Sequence, residues 1–247
     1  MNQVQSIHHQ ETELYFTVPN SLNYFRVNTF STKEPETLEW IDKIPHNSIL
    51  WDIGANVGLY SCYAAKARNC QVFAFEPSVF NLELLARNIF LNDLTHQITI
   101  ISLPLTDQLS QSTLNMTSTD WGGALSTFGQ NYGDDGRILK RVFQFQTIGI
   151  SIDDAIQMFE MQMPDFIKMD VDGIEHLILK GSIKVLENVQ SVLIEINEDF
   201  EKQAIESQGY LQKAGLVFQE KRHSEMFDSN PRFGNTYNQI WYRPNSI

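Results

Sequence analysis

The stretch Asp52-Ile53-Gly54-Ala55-Asn56-Val57-Gly58 constrains this chain more than any other. The apolar run Ile49–Ile53 leads into it, and a helical pattern over Val57–Arg68 leads out. A short apolar run ending at a glycine suits a parallel strand buried on both faces. Gly54 allows a sharp turn, and Gly58 allows the following helix to approach a neighbour closely. The free N–H groups at the helix start, from Ala55 onward, then offer themselves to an anion. The middle position of the loop must be bare if a pyrophosphate is to approach the backbone, and here it holds Asn56. A ligand with a single carboxylate fits better, such as the amino-acid end of S-adenosylmethionine. Asp52 would favour that ligand's positive groups, directly or through water.

The strand–helix alternation continues. Gln71–Phe75 reads as a second strand closed by Glu76, where an acid can accept both hydroxyls of a ribose. Pro77 follows, and Ser78 caps a helix over Val79–Leu91 whose Leu82, Leu85 and Ile89 share a face. Gln97–Leu103 is a third strand, after which Leu105, Thr106 and Asp107 are placed to touch an adenine. Residues 107–141, rich in Ser, Thr, Gly, Asn and Asp, read as a long irregular loop of functional or mobile character. Within it, Trp121-Gly122-Gly123-Ala124 suits either a hinged cover over the site or a plain surface loop.

Val142–Ile148 reads as extended, and Ser151 opens a helix reaching about Glu160. Pro164–Met169 leads to a strand ending at Asp170, Ile174–Leu186 is a helix, Ser191–Ile196 a strand and Phe200–Ala214 a helix. Val217–Glu220 and Gln239–Tyr242 close the chain as an antiparallel pair. Before the core, Leu14–Val18 and Asn23–Phe30 read as short strands and Pro35–Lys43 as a helix with Pro in its first turn. The expected architecture is α/β: a mainly parallel twisted sheet with helices on both faces. It forms one domain over 1–247, with 1–46 as an N-terminal cap segment and 47–247 as a Rossmann-like core. Ligands of such sheets lie beyond the carboxyl ends of the strands.

The blocks Ile49–Gly58 and Phe75-Glu76-Pro77-Ser78, then Arg87-Asn88 and Asn92, resemble the FkbM-type methyltransferase family. So do Ser151-Ile152-Asp153-Asp154, the run Pro164–Glu175, Leu179-Lys180-Gly181 and Leu193–Asn197. Together they span about 49–198 in the family's order. Trp51 departs from it, standing where a smaller aliphatic residue is expected. The resemblance implies a class I methyltransferase fold, S-adenosylmethionine as donor, and O-methylation of a hydroxyl on a sugar or natural-product small molecule.

The second half supplies acids. Asp170, Asp172 and Glu175 follow one strand end, and Glu195 and Asn197 mark the next. Three readings stand side by side. Asp170, Asp172 and Glu195 hold a hard cation such as Mg²⁺ that activates the acceptor hydroxyl. One of the three acts as a metal-free general base. Or Asp172-x-x-Glu175 is a structural capping box. Lys168, a charge within an apolar strand, faces an acid such as Asp52 or Glu195, or else a solvated edge. His176 is expected on the exposed side of its helix. His223 beside Arg222 is placed to meet a substrate. His8, His9, His46 and His96 read as surface residues, and Met158, Met161 and Met163 as core.

Composition narrows the rest. Lys and Arg number 18 against 30 Asp and Glu, for a net charge of -12, which disfavours nucleic acid and anionic membrane surfaces as partners. No apolar run approaches the ~20 residues of a membrane span. The polar start, Met1–Gln10, lacks a signal-peptide profile. Cys62 and Cys70 have no metal-type spacing and read as reduced packing residues, so a cytoplasmic setting is expected. The rivals are an NAD-dependent oxidoreductase, a binding protein that keeps the fold without the reaction, and an N-methyltransferase. Asn56 argues against the first. Against the last, the fourth strand end reads Asp170-Val171-Asp172-Gly173 and not Asn/Asp-Pro-Pro-aromatic. Neither the acceptor's identity nor an oligomeric state is written in these residues.

Overall fold

The computed structural model describes residues 3–228 and 232–244. Met1 and Asn2 of the polar start, and 245–247 at the chain's end, lie outside the described residues. A hairpin of β1 (Val4–His9) and β2 (Thr12–Thr17) opens the chain, followed by helices α1 (Ser21–Asn28), α2 (Phe30–Lys33) and α3 (Pro35–Lys43). The alternating core begins with β3 (Ile49–Ile53), α4 (Leu59–Arg68), β4 (Gln71–Phe75), α5 (Val79–Leu91) and β5 (Ile98–Ile101). Next come β6 (Ser110–Met116), β7 (Ser126–Phe128), β8 (Phe143–Gly149) and α6 (Ile152–Phe159). The chain continues through β9 (Phe166–Met169), α7 (Glu175–Lys180), α8 (Ile183–Leu186) and β10 (Ser191–Asn197). It ends with α9 (Glu201–Lys213), β11 (Val217–Arg222) and β12 (Thr236–Tyr242).

The main sheet runs β11-β12-β10-β9-β3-β4-β5. Its strands from β10 to β5 pair in parallel, and β12 runs antiparallel to both β10 and β11, as the sequence implies. From β3 the chain first winds outward to β5, then crosses back to β9 on the other side of β3. The switch point therefore lies between β3 and β9. Period-two alternation along β3 splits the core: Leu50 faces α4, while Trp51 and Ile53 face the α6–α9 side. Trp51 is fully buried against Phe75, with ring centroids 4.9 Å apart.

Four expectations need correction. Residues 107–141 are not one irregular loop. They contribute β6 and β7 to a second antiparallel sheet, β7-β6-β8. The polar composition hid this, because a strand solvated on one face alternates Ser, Thr, Gln and Asn with its few apolar residues. Asn23–Phe30 is not a strand. Asn20 caps α1 by accepting from the Asn23 N–H, and the aromatic and branched residues that suggest a strand instead divide between solvent and the core. Ile174–Leu186 is broken into α7 and α8 at Gly181, where a Cβ would lie 2.7 Å from the Thr106 carbonyl. Met158 and Met163 are exposed, and of the three methionines named only Met161 packs in the core.

The N-terminal hairpin is stitched to the core by two amides. Asn88 Oδ1 accepts from the Thr17 N–H at 2.9 Å while its Nδ2 donates to the Val57 carbonyl at 2.8 Å. Asn92 exchanges bonds with the Tyr15 N–H and carbonyl at 2.9 and 2.7 Å. These bonds replace the ladder partners that the free edge of β2 would otherwise lack. Among the described residues no helix is long and apolar enough to cross a membrane.

Gly54 is the tightest point of the architecture. Its φ is +85°, and a Cβ there would lie 1.7 Å from the Asp170 carbonyl oxygen. Gly54→Ala is therefore expected to cost roughly 3 kcal/mol or more, lowering the melting temperature by about 6–12 °C. A Cβ on Gly209, inside α9, meets nothing within 4 Å. Gly209→Ala is expected to raise stability by about 0.5–1 kcal/mol. Thermal unfolding of the two variants checks both signs.

Candidate active site

A cavity of about 420 Å³ opens at the carboxyl ends of β3, β4, β9 and β10. That is within the range of small-molecule sites. One wall comes from the loops after β3, β4 and β5 and carries Gly54, Asn56, Glu76, Pro77, Pro104 and Leu105. The other comes from the ends of β9, β10 and β12 and carries Asp170, Asp172, Glu195, Thr236 and Asn238. Helices α1 to α3 and the Glu34 cap between α2 and α3 add Leu22, Phe25, Arg26, Lys33, Glu34 and Glu36. A smaller adjoining space of about 50 Å³ is bounded by Gly54–Val57, Tyr60, Lys168 and Asp170.

The glycine loop is built by its own backbone needs. Gly54, Asn56 and Gly58 all take positive φ, and Asn tolerates that conformation better than most residues. The Asn56 N–H donates to Glu76 at 2.9 Å, and the Ser78 N–H donates to the other Glu76 oxygen at 2.7 Å. Each carboxylate oxygen keeps a lone pair for a further donor. Burial pushes Glu76 up to about 7, with the two N–H donors acting the other way. Gly58 faces Leu85 of α5, where a Cβ would lie 2.5 Å away, so its role is helix packing.

Some residues expected at the ligand lie elsewhere. Asp52 is beneath the loop, 1% exposed, accepting from the Ser61 hydroxyl and facing Lys168 at 3.6 Å. Ser78 caps α5 and does not line the cavity, while Ala55 borders only the smaller space. Leu105 reaches the cavity, but Thr106 and Asp107 do not line it. After Leu105 the chain turns toward the second sheet: Thr106 bonds the Ile150 carbonyl and Asp107 pairs with Lys180 at 2.8 Å. His176 is not on an exposed face. It is fully buried against the Phe200 ring. His223 does line the cavity, with one ring nitrogen on the Thr236 carbonyl and the other on Asp228.

Asp170, Asp172 and Glu195 share the cavity wall, yet they do not gather as metal ligands. Among the described residues no group of three His, Cys, Asp or Glu side chains is disposed to hold an ion. Asp172 turns its carboxylate to the Leu125 N–H at 2.6 Å, and Asp170 faces Lys168 at 3.5 Å. Asp172 is also no helix cap. Glu175 reaches back alone, accepting from the Val171 and Gly173 N–H groups at 3.0 and 3.1 Å and from the Gln203 amide. Burial and the nearby Asp170 push Glu195 well above the ordinary carboxylate range. Lys168 is 3% exposed between Asp52 and Asp170. Burial opposes its charge, but the surrounding acids prevail and raise its pKa.

A strap, Trp121–Leu125, borders the cavity through Gly123, Ala124 and Leu125. The Gly123 carbonyl accepts from Asn56 Nδ2 and Asn81 Nδ2, each at 3.0 Å. The Trp121 carbonyl accepts from Asn20 and Asn23, and the Gly122 carbonyl from Arg26 at 2.7 Å. Sequence reasoning missed Asn81 and the α1 residues. The Asn20-Ser21 capping pair was the signal that could have found α1.

Burial holds Glu175 up to about 7 against an ordinary 4.5. Its protonated form is thus favoured by the fold. That stability is full below about pH 4.5 and is lost as pH rises through about 7. Glu175→Gln cannot lose it. The stability of the variant relative to the parent should therefore rise between pH 5 and 8, by up to about 3 kcal/mol. A difference that is flat with pH, read from denaturant melts, would contradict this.

Comparison with known proteins now adds to this geometry. Residues 52–228 match the model of the methyltransferase FkbM domain. Over 182 residues the chain is 25% identical to the hexuronic acid methyltransferase AglP of Haloferax volcanii, covering 74% of this chain and 70% of that protein. It is 41% identical to the methyltransferase sdnD of Sordaria araneosa over 54 residues, 22% of this chain and 21% of that one. Among solved structures, methyltransferase FkbM from Methylobacillus flagellatus KT superposes with a TM-score of 0.57 at 15% identity. The match covers 90% of this chain and 52% of that one, so the chain spans about half the neighbour's length. The likeness shows a class I methyltransferase fold of Rossmann-like type.

Proposed function

The chain belongs to the FkbM methyltransferase family, and from that premise we propose that it transfers a methyl group from S-adenosylmethionine to a hydroxyl oxygen of a sugar-like or natural-product small molecule. The observation that carries this reading is the continuity of the cavity. The glycine loop and Glu76 stand at one end, and buried carboxylates at the other. The relative named for hexuronic acid supports a sugar-type acceptor.

The residues fit the donor. Glu76 keeps lone pairs on both oxygens for the two hydroxyls of a ribose. Pro77 and Leu105 offer apolar surface for a base. The side chain of Asn56 fills the position that a pyrophosphate would need, which disfavours a dinucleotide such as NAD. The smaller space beside Gly54–Val57, with Asp170 on its edge, would take the amino-acid end. Bound there, S-adenosylmethionine supplies a methyl group on a positively charged sulfur.

The chain's own part is orientation and proton handling. The strap and α1 to α3 shield the cavity, and holding two reactants in line is a large share of such catalysis. Glu195 accepts the proton that leaves the acceptor hydroxyl, because burial and the nearby Asp170 raise its pKa and a carboxylate with a raised pKa is the stronger base. Asp170 is held by Lys168 between donor and acceptor. Asp172 shapes the wall through the Leu125 N–H.

Methyl transfer into hydroxyl acceptors, followed by mass spectrometry, tests the reading. Glu195→Gln is expected to lower kcat about 100-fold or more while leaving the dissociation constant of S-adenosylhomocysteine within about threefold. Glu76→Ala is expected to weaken that constant about tenfold or more. Binding of S-adenosylhomocysteine with no transfer to any hydroxyl acceptor would favour a protein that keeps the fold without the reaction.

A further inference from the structure

The acceptor end of the cavity is unevenly charged. Glu34, Glu36, Asp170, Asp172 and Glu195 face it, against the cations Arg26 and Lys33. Both cations are engaged. Arg26 donates from Nε and Nη2 to the Gly122 carbonyl at 3.2 and 2.7 Å, and Lys33 pairs with Glu34. A carboxylate entering this space would meet more acids than cations in a poorly screened setting.

Glu36 stands out among these acids. It lies in the first turn of α3, where a helix start favours negative charge, and is 1% exposed. One of its oxygens accepts from Asn238 Nδ2 of β12 at 2.7 Å. The other, Oε2, is buried and has no hydrogen-bond partner among the described residues. Leaving a buried carboxylate oxygen without a donor is costly, so such groups are almost always satisfied. Burial and the neighbouring Glu34 raise the pKa of Glu36, which an added donor would reverse. Phe25, Leu22 and Phe233 supply apolar surface to the same cavity. Apolar walls with a few fixed polar groups are what a ring with C–H faces and hydroxyl edges requires.

We propose that Glu36 and Asn238 form a hydroxyl-reading subsite, and that the acceptor is an uncharged polyhydroxylated ring, with its carboxylate-bearing counterpart refused. The proposal rests on the methyl-transfer reading above. A hydroxyl beside the one that reacts donates to Glu36 Oε2, and Asn238 fixes the carboxylate for it. An acid in place of that hydroxyl brings an acceptor where a donor is needed. Refusal thus comes from an unpaired buried group as well as from repulsion.

The test uses the full chain with S-adenosylmethionine and aryl glucoside, galactoside and mannoside, each set against its uronide. Methylated product is measured by mass spectrometry, and S-adenosylhomocysteine binding by calorimetry. The expected result is a kcat/KM for the best neutral glycoside at least about tenfold above that for its uronide. Glu36→Gln should narrow that ratio at least about threefold, chiefly by raising KM for the neutral glycoside. Asn238→Ser should shift it in the same direction, and serves if the first variant fails to fold. Equal or better use of the uronide would overturn the proposal. So would an unchanged ratio in folded variants, or transfer to none of the probes by protein that binds S-adenosylhomocysteine. Absence of S-adenosylhomocysteine binding in the parent chain would instead strike the reading beneath it.

Discussion

A single ammonium group, buried where β9 meets β3, holds the two halves of the site together. Lys168 Nζ lies 3.6 Å from Asp52 Oδ1, 3.5 Å from Asp170 Oδ2 and 5.4 Å from the centroid of the Tyr60 ring. Asp52 is the cross-strand neighbour of Lys168 in the parallel ladder. Both side chains point to the face that packs on α4, where Ser61 takes the remaining Asp52 oxygen. A buried charge persists only when it is paired, and removing one partner of such a set typically costs about 3–5 kcal/mol. The pairing matters for more than stability. It fixes the end of β3, from which the glycine loop springs, relative to the end of β9, from which Asp170 enters the cavity. The Gly54 contact with the Asp170 carbonyl is the backbone counterpart of the same junction.

From that junction the cavity is completed by segments that are remote in sequence. The strap at Trp121–Gly123 is bonded to Asn56 and Asn81 of the core and to Asn20, Asn23 and Arg26 of the N-terminal helices. Asn88 and Asn92 tie the N-terminal hairpin to α5. The end with the glycine loop and Glu76 is therefore framed by local βα turns. The opposite end is framed by long-range bonds among α1 to α3, the strap and β12.

This division explains what could be read from the sequence. The strands β3, β4, β9 and β10, the cap at Ser78, the glycine loop and Glu76 announce themselves through short-range patterns, since each is dictated by a strand end, a turn or a helix start within a few residues. Lys168 beside an acid was legible as one of two readings, because a charge in an apolar strand needs a partner. At the opposite end, Asp170, Asp172 and Glu195 were legible as acids after two strand ends, but their surroundings were not. Glu36 looks like an ordinary acid in the first turn of a helix, and only the fold brings Asn238 to it. Asp107 looked like an adenine contact until the second sheet drew the chain toward Lys180. Asp172 and Glu175 fit a capping spacing, but the tertiary contact with Leu125 claimed Asp172 first.

The pairing of the Asn56-bearing loop with Glu76 makes a site for a sulfur nucleoside carrying an amino acid the central proposal. Calorimetric titration of the chain with S-adenosylhomocysteine, and separately with NAD, addresses this directly. The expected result is one site per chain for S-adenosylhomocysteine, with a dissociation constant on the order of 1–100 μM, and no heat with NAD. Binding of NAD, or no binding of S-adenosylhomocysteine by protein shown to be folded, would contradict it.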